Sequence, residues 1–267
     1  MTGKKQSRGV WNVGGDLKVS NLSFAFSLDG SPVAQSPVTV ELRTDMWPFW
    51  LEEAVDAAAL ASKTEAEIPP VADRVDAGDE AAQEELQVLV GRELRASMRA
   101  ITASAFAIDA FYATVKERGG PHPDEATWQQ HRTARKRRIS ETLRYHLVKD
   151  NATAKNLKSV VAQVFMCRDW AVHMAAKYRP PSYREDVNAA MDWHFSVFRG
   201  KDAIMATVIT LRIMDILVAA LGQGAGELPD SKPVARQRLN GVLNTWDSVI
   251  GSPTFERAEP PADTTGT

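Results

Sequence analysis

The sequence predicts an all-α protein, a helical bundle that carries a small β-hairpin at its N-terminus. Stretches rich in Ala, Leu, Glu and Arg dominate from residue 84 onward, and they end at breaks that contain Gly or Pro, as helices do. No repeat at solenoid spacing is present, so a compact bundle is favoured over a repeat array. Hydrophobic residues make up 44% and charged residues 25% of the chain, which is ordinary for a globular protein.

Residues 1–62 form the first predicted unit, a hairpin followed by a short helix. Residues 17–26 alternate partly between apolar and polar side chains, and residues 38–42 alternate again beyond a turn signal at Asp29 and Gly30. Such a ribbon is marginal alone and is expected to lie against another surface. The helix is expected over residues 47–61, because Pro48 suits a first helical turn.

Residues 63–82 are predicted to be a flexible acidic loop. The segment contains Pro69, Pro70 and Gly78 among many acidic residues, and it lacks sustained apolar periodicity.

Residues 83–250 are predicted to form the helical domain, followed by a disordered tail over residues 251–267. Asp124, either Asn151 or Thr153, and Ser182 are candidates to begin three of its helices. The expected helices cover residues 84–117, 124–148, 151–177, 183–197, 201–221 and 233–249.

Charge and cysteine content favour a cytoplasmic protein with locally polarised charge. The formal net charge is only -2, yet residues 52–93 are strongly acidic and residues 131–158 are strongly basic. The single cysteine, Cys167, suits a reducing compartment, and no apolar stretch follows the N-terminus as in a signal peptide. Residues 204–221 are apolar enough for a membrane span, but Arg212 and Asp215 near the middle favour a core helix and no membrane partner.

Two segments carry a resemblance to a known family. Residues 167–174 read Cys-Arg-Asp-Trp-Ala-Val-His-Met, in which Arg168 is followed by Asp169 and, five positions on, by His173. Earlier, residues 103–112, within a predicted helix, place small and aromatic residues around Asp109. These segments, and the order of the helices from residue 84 to 222, resemble the R-x4-H ribonuclease motif and helical core of HEPN domains.

The resemblance implies a metal-independent endoribonuclease without a cofactor. Two protomers would pack so that both copies of Arg168 and His173 line one cleft, with Asp169 and Asp109 beside them, so a homodimer is expected. His173 would move a proton to or from RNA, and Arg168 would hold the phosphate. The products would be a 2′,3′-cyclic phosphate and a 5′-hydroxyl. Many family members are toxins or antiviral effectors, so an antitoxin or regulatory protein is a further expected partner.

Helix geometry constrains this motif and leaves a second interpretation open. Five positions on a helix correspond to about 140° of rotation, so Arg168 and His173 would flank a groove instead of pointing one way. Alternatively, Arg168 pairs with a buried carboxylate such as Asp109, and His173 is a hydrogen-bonded interface residue. The protein would then be a non-catalytic dimerisation or RNA-binding module.

A basic stretch is the candidate RNA track. Several cations on adjacent helical turns attract a polyphosphate. The same sequence is also expected of a solvated helix face, or of a surface that binds the acidic segment. The residues are Arg132, Arg135, Lys136, Arg137 and Arg138.

The remaining polar and aromatic motifs carry weaker signals. The run Trp193-His194-Phe195 is interpreted as a core cluster with one polar tip. The five histidines lack paired ligand spacing, so no metal site is predicted. A thiol beside Arg168 could have a depressed pKa, but Cys167 is interpreted as a buried, inert thiol.

Overall fold

The computed structural model describes residues 15–20, 39–173 and 179–251, except for the side chain of His173. The chain divides into two units, residues 1–46 and residues 47–267. The described residues form eight α-helices and four short strands, so the predicted all-α bundle with a small N-terminal hairpin is confirmed. The predicted tail beyond Gly251 lies outside the described residues.

The first unit contains an antiparallel pair, β1 (Gly15–Ser20) and β2 (Thr39–Thr44). Leu17 lies opposite Leu42 and Val19 opposite Val40, so one face is apolar. On the other face, the Asp16 carboxylate lies 2.7 Å from the Arg43 guanidinium. Residues 21–38, which include the predicted turn at Asp29 and Gly30, lie outside the described residues.

The second unit is built on eight helices and a second hairpin. The helices are α1 (Trp47–Asp76), α2 (Glu80–Gly119), α3 (Glu125–Gln130), α4 (Arg135–Leu147), α5 (Asn151–His173), α6 (His194–Val197), α7 (Gly200–Ala220) and α8 (Leu228–Ile250). Between α5 and α6 lie β3 (Ser182–Arg184) and β4 (Ala189–Met191), which pair in antiparallel fashion.

The predicted acidic loop over residues 63–82 is wrong, because α1 continues through most of it. Ile68, Val71 and Ala72 recur at helical spacing and are buried together against α2, while the two prolines stay on the exposed side. The actual connection is a short turn in which Gly78 takes a φ of +89°. The Asp79 carboxylate then accepts the backbone N–H of Ala81 and Ala82, which caps α2.

The helix predicted over residues 124–148 is split into α3 and α4. The chain turns between Gln130 and Arg135, with Arg132 at a φ of 49°. Asp124 precedes α3 as predicted, but its side chain makes no capping hydrogen bond. On α4, Ile139, Leu143 and Leu147 are buried, so the basic residues occupy the opposite, outer side.

The helix predicted over residues 183–197 is wrong, because the second hairpin occupies most of that range. Arg184 is buried, and its guanidinium donates to carboxylates of Glu93 and Asp186 and to the carbonyl of Phe195. These partners satisfy a charge that a surface helix would leave in water. Within this range, residues 185–187 form a 3₁₀ turn between the two strands, and residues 194–197 form a single α-helical turn.

Helix α7 lies at the centre of the second unit. A Cβ on Gly200 would lie 2.7 Å from the carbonyl oxygen of Ala61, so a glycine is needed where α7 begins against α1. The buried Asp215 is bound by the Arg236 guanidinium from α8. The helix over residues 200–223 is long and apolar enough to cross a membrane, but 61% of an apolar 18-residue stretch within it is buried inside the protein, as in a core helix.

Candidate functional site

The motif lies in the last two turns of α5. Asp150 accepts the backbone N–H of Thr153 at 2.7 Å and caps the start of this helix. Leu157, Val161 and Val164 are buried and anchor α5 to the core. The helix runs without a break through residue 173, so the motif has the regular helical spacing expected from its sequence.

Arg168 is held in a half-buried position with its side chain 21% exposed. Its Nε donates to Asp169 Oδ1 at 3.0 Å, and Nη2 contacts the same oxygen. The guanidinium also lies 4.7 Å from the ring centre of Phe165. Asp169 and Phe165 therefore fix the fork before any ligand is present.

Asp109 is placed on α2 but pairs with a residue other than Arg168. Both of its carboxylate oxygens accept from Arg135 Nε, at 3.0 and 2.9 Å, and Arg135 Nη2 lies 2.7 Å from Oδ1. Arg135 also lies over the ring of Tyr112. The structure thus joins the acidic residue of the early helix to the first residue of the basic helix, a pairing that the sequence alone did not indicate.

His173 is the last residue of α5, and its side chain lies outside the described part of the structure. The expected 140° separation from Arg168 therefore stays a prediction. Residue 173 follows Trp170 by three positions of the helix.

Trp170, inside the motif, contacts an aromatic cluster. Its ring meets the ring of Trp193 edge to face, with 6.2 Å between centres. The imidazole of His194 lies 4.0 Å from the Trp193 ring. The predicted core cluster is therefore only half-buried, and it adjoins the motif helix. Sequence reasoning missed the contact between Asp192 and His194, for which the only signal was an acid two positions before a histidine.

The outward side of α5 is apolar beside the motif. Met166 is 42% and Val172 is 53% exposed. An open groove of about 410 Å³ lies next to Val172, between α5, α2 and the start of α1. Trp50 lines this groove and its ring lies 4.9 Å from that of Phe106, which is itself exposed. Apolar side chains of Val172, Trp50 and Phe106 thus lie along one flank of the motif, together with the charged residues Glu53, Arg95 and Arg99 that line the same groove.

The basic stretch divides into free and engaged cations. Arg135 is bound to Asp109, and Arg138 is half-buried. Arg132, Lys136 and Arg137 are exposed, and no acidic side chain among the described residues pairs with them. These three exposed cations are the part of the stretch that a polyanion can reach.

Cys167 is half-buried, and not fully buried as expected. Burial raises the pKa of the Cys167 thiol, and the negative charge of Asp202 adds to this effect. A raised pKa leaves little thiolate at neutral pH, so Arg168 does not activate this cysteine.

Within the described ranges no group of three or more potential metal ligands is present. Comparison of the chain with protein-family models, with curated proteins and with solved structures finds no match.

Proposed function

We propose that this chain is a metal-independent endoribonuclease of HEPN type that acts as a homodimer in the cytoplasm. The motif of Arg168 and His173 is the proposed catalytic centre, and two copies of α5 bring it together across a two-fold axis. A role as a toxin or antiviral effector, controlled by an antitoxin or regulatory protein, is the cellular setting that the family resemblance suggests.

The observation that carries this proposal is the apolar surface beside a half-buried, prearranged Arg168. Met166 precedes the motif by two positions and Val172 lies within it, and both expose large apolar side chains. A second copy of α5 would cover them, since an isologous interface presents the same patch from both subunits. Arg168, at the edge of that patch, would then face a cleft shared by two protomers.

The chemistry follows from the side chains of the motif. The RNA 2′-oxygen attacks phosphorus, the bond from phosphorus to the 5′-oxygen breaks, and His173 carries a proton in this exchange. Arg168 donates to the phosphate oxygens as negative charge grows on them. Asp169 holds the Arg168 fork in place until the phosphate competes for its donors. Asp109 acts at a distance, since it fixes Arg135 at the start of α4.

The three exposed cations near the start of α4 provide the proposed RNA track. Lys136 and Arg137 follow Arg135 on the helix, and Arg132 lies in the preceding turn. Binding there depends on the backbone phosphates and not on base identity.

The test is cleavage of a labelled single-stranded RNA by the purified chain in EDTA. We expect cleavage by the wild type, and loss of more than about 100-fold in Arg168→Ala and in His173→Ala, because each removes one part of a joint unit. Arg144→Ala is the matched control, since Arg144 also pairs with a neighbouring acid, Glu141, on a helix surface. Unchanged cleavage by both motif variants, with the melting temperature intact, would refute the assignment.

A second candidate is a non-catalytic RNA-binding or dimerisation module. The observation in its favour is that the Arg168 guanidinium already has a carboxylate and an aromatic ring as partners. Wild-type protein that binds many RNAs and cleaves none of them would make this the better description.

A further inference from the structure

A cavity of about 460 Å³ lies between the second hairpin and the helices α1 and α2. Its volume falls within the range of small-molecule binding sites, which is roughly 300–1,000 Å³. No residue of the motif on α5 lines it. The cavity is therefore a separate feature of the second unit, and the proposed ribonuclease function makes no use of it.

The interior of the cavity is apolar. Leu86 and Val90 of α2 and Val187 of the second hairpin are buried, and Met191 and Phe195 are half-buried beside them. A phenylalanine ring offers a flat apolar contact, and a methionine side chain adapts its shape to what it packs against. These surfaces favour a ligand with an apolar or aromatic body.

Two sets of contacts hold the hairpin wall of the cavity in place. The buried ion pair of Arg184 and Glu93 joins β3 to α2. At the hairpin turn, Asn188 takes a φ of 50°, and its side-chain amide donates to Asp76 Oδ2 at 3.1 Å. The carbonyl oxygen of the same side chain accepts the Tyr183 hydroxyl at 2.7 Å. The cavity is therefore preformed, so a ligand does not have to order its walls.

A glycine inside α2 leaves room at one side of the cavity. Gly91 lines the cavity in the interior of a long helix, where glycine is less favourable than alanine. A Cβ at this position would meet only the Arg95 guanidinium within 4 Å, at 3.4 Å, so close packing against another helix does not require a glycine here. The missing side chain instead widens the cavity.

The polar groups that line the cavity are neutral or negatively charged. Gln83 and Gln87 lie one turn apart on α2, and neither side-chain amide has a hydrogen-bond partner among the described residues. Asp76 Oδ2 accepts from Asn188, while Oδ1 has no partner in the described part of the chain. None of the side chains that line the cavity is a Lys, Arg or His.

The surface around the cavity is acidic as well. Residues 73–85, at the end of α1 and the start of α2, contain six acidic residues and a single cation, Arg74. Arg74 already pairs with Asp79 and Glu85. The negative charge of this surface attracts a cationic ligand and disfavours an anionic one.

We propose that this cavity binds a small amphiphilic amine, a molecule with an apolar or aromatic body and a protonated amino group. The body lies against Met191 and Phe195. The ammonium group donates to the open oxygen of Asp76, and the amide oxygens of Gln83 and Gln87 accept its remaining hydrogens. The bound amine joins the second hairpin to α1 and α2. This inference does not depend on the proposed ribonuclease function.

The test is isothermal titration calorimetry of the full chain at neutral pH with two probes, naphthylmethylamine and naphthoate. The probes share one aromatic body and carry opposite charges. We expect the amine to bind with a Kd of about 0.1 mM or lower, which is reasonable for a ligand of this size, and naphthoate to bind at least about 10-fold more weakly. The amine at saturation is also expected to raise the melting temperature, because it binds only the native protein.

Ala189→Leu is the variant that fills the cavity from the hairpin wall. Ala189 lines the cavity, and the larger side chain is expected to lower the affinity for the amine by about 10-fold or more. Ala190→Leu is the matched control, because neighbouring residues of a strand point to opposite faces. Ala190 is exposed and does not line the cavity, so this variant is expected to keep the wild-type affinity.

A second filling variant keeps the test decisive if Ala189→Leu disturbs the hairpin. Gly91→Leu adds a side chain from α2, where leucine is a better helix former than glycine, and the melting temperature is expected to hold or to rise. The affinity for the amine is expected to fall by about 10-fold or more. Gly241→Leu is the control, since Gly241 lies inside α8 with nothing within 4 Å of an added Cβ.

Asp76→Asn tests the preference for a cation. The asparagine keeps an oxygen that can accept from Asn188 but carries no charge. We expect it to weaken binding of the amine by about 10-fold and to leave naphthoate no weaker than before. Asp73→Asn is the control, because Asp73 is an exposed acid of the same helix that does not line the cavity.

The outcomes bear on this site alone, since none of them requires RNA cleavage. Absence of binding of both probes by the wild type would overturn the site. Wild-type affinity for the amine in both Ala189→Leu and Gly91→Leu would overturn its location. Equal affinities of the wild type for the amine and for naphthoate would overturn the assignment of an amine as the ligand.

Discussion

Arg184 of the second hairpin and Glu93 of α2 form an ion pair that is sealed from solvent, with 2.8 Å between Nη1 and Oε2 and side chains 1% and 0% exposed. The other oxygen of Glu93 accepts the backbone N–H of Gly200, at the start of α7. One carboxylate therefore fixes both the second hairpin and a central helix to α2. Burial raises the pKa of Glu93, so the Arg184 guanidinium and the Gly200 N–H are needed to keep this group charged.

Arg184→Ala is expected to lower the free energy of unfolding by about 3–5 kcal/mol, because it leaves the Glu93 carboxylate buried without its cation. Urea unfolding followed by circular dichroism measures the loss. Arg144→Ala removes an arginine from an exposed pair with Glu141 and is expected to cost less than about 1 kcal/mol. Equal losses in the two variants would contradict the structural role of the buried pair.

Met166→Glu is expected to turn the proposed dimer into a monomer, because it places a charge on the apolar side of α5. Light scattering at micromolar concentration measures the mass, which for one chain is 29.3 kDa. Met205→Glu is the control, since Met205 is even more exposed but lies on α7. A wild type that already has the mass of one chain would argue against a shared cleft.

Neutralising Lys136 and Arg137 is expected to weaken RNA binding and to flatten its salt dependence. Each lost phosphate contact reduces the slope of log K against log salt by about 0.7 for single-stranded nucleic acid. Fluorescence anisotropy over a range of salt concentrations measures that slope for the double glutamine variant. Lys155 and Lys158 are exposed cations near the start of α5, and their double glutamine variant is the control. The same slope in both variants would show that the cations at the start of α4 are a solvated surface and do not form an RNA track.

The buried His146 is expected to make the fold less stable in mild acid. Burial is the main cause that lowers the pKa of His146, whose Nε2 lies 3.1 Å from the carbonyl oxygen of Gly120. The unfolded chain therefore binds a proton more readily than the native protein does. The stability that His146 contributes is complete above its unfolded pKa of about 6.5 and is lost as the pH falls from there towards the lower native value.

Melting temperatures measured between pH 7.5 and pH 5 test whether stability falls as the pH is lowered. His146→Phe is expected to melt at a lower temperature at pH 7.5, because the Gly120 carbonyl loses its donor, but to show a smaller fall towards pH 5. His131→Phe is the control, since His131 is exposed, and it is expected to keep the wild-type fall. A His146→Phe profile parallel to that of the wild type would contradict the assignment.

Composition and helix breakers were enough to predict the helical class and most of the helices. The prediction of a loop at residues 63–82 was wrong. Two prolines and many acidic residues suggested a loop there, although Ile68, Val71 and Ala72 have the spacing of a helix. The burial of those residues depends on α2, which folds back over them. Packing against α2 therefore stabilises this part of α1, and local helix propensity alone does not indicate it.

The second hairpin could not be predicted for a related reason. Its position depends on Arg184 reaching Glu93 across 91 positions of the chain, and no local pattern encodes such a distance. The motif at Arg168 was visible because its residues are close in sequence. The contact between Asp192 and His194 is equally local, yet its geometry depends on a turn that sequence reasoning had assigned to a helix.

The short turn between α1 and α2 has a consequence for how the chain folds. Closing a turn of a few residues costs little entropy, so the long helical hairpin of residues 47–119 can form early from contacts that are near in sequence. The second hairpin reaches its place only after the chain has returned to that scaffold, because its buried arginine needs a carboxylate 91 positions away. On a ribosome, the scaffold emerges well before Arg184 does. The second hairpin would therefore become ordered later than the scaffold that holds it.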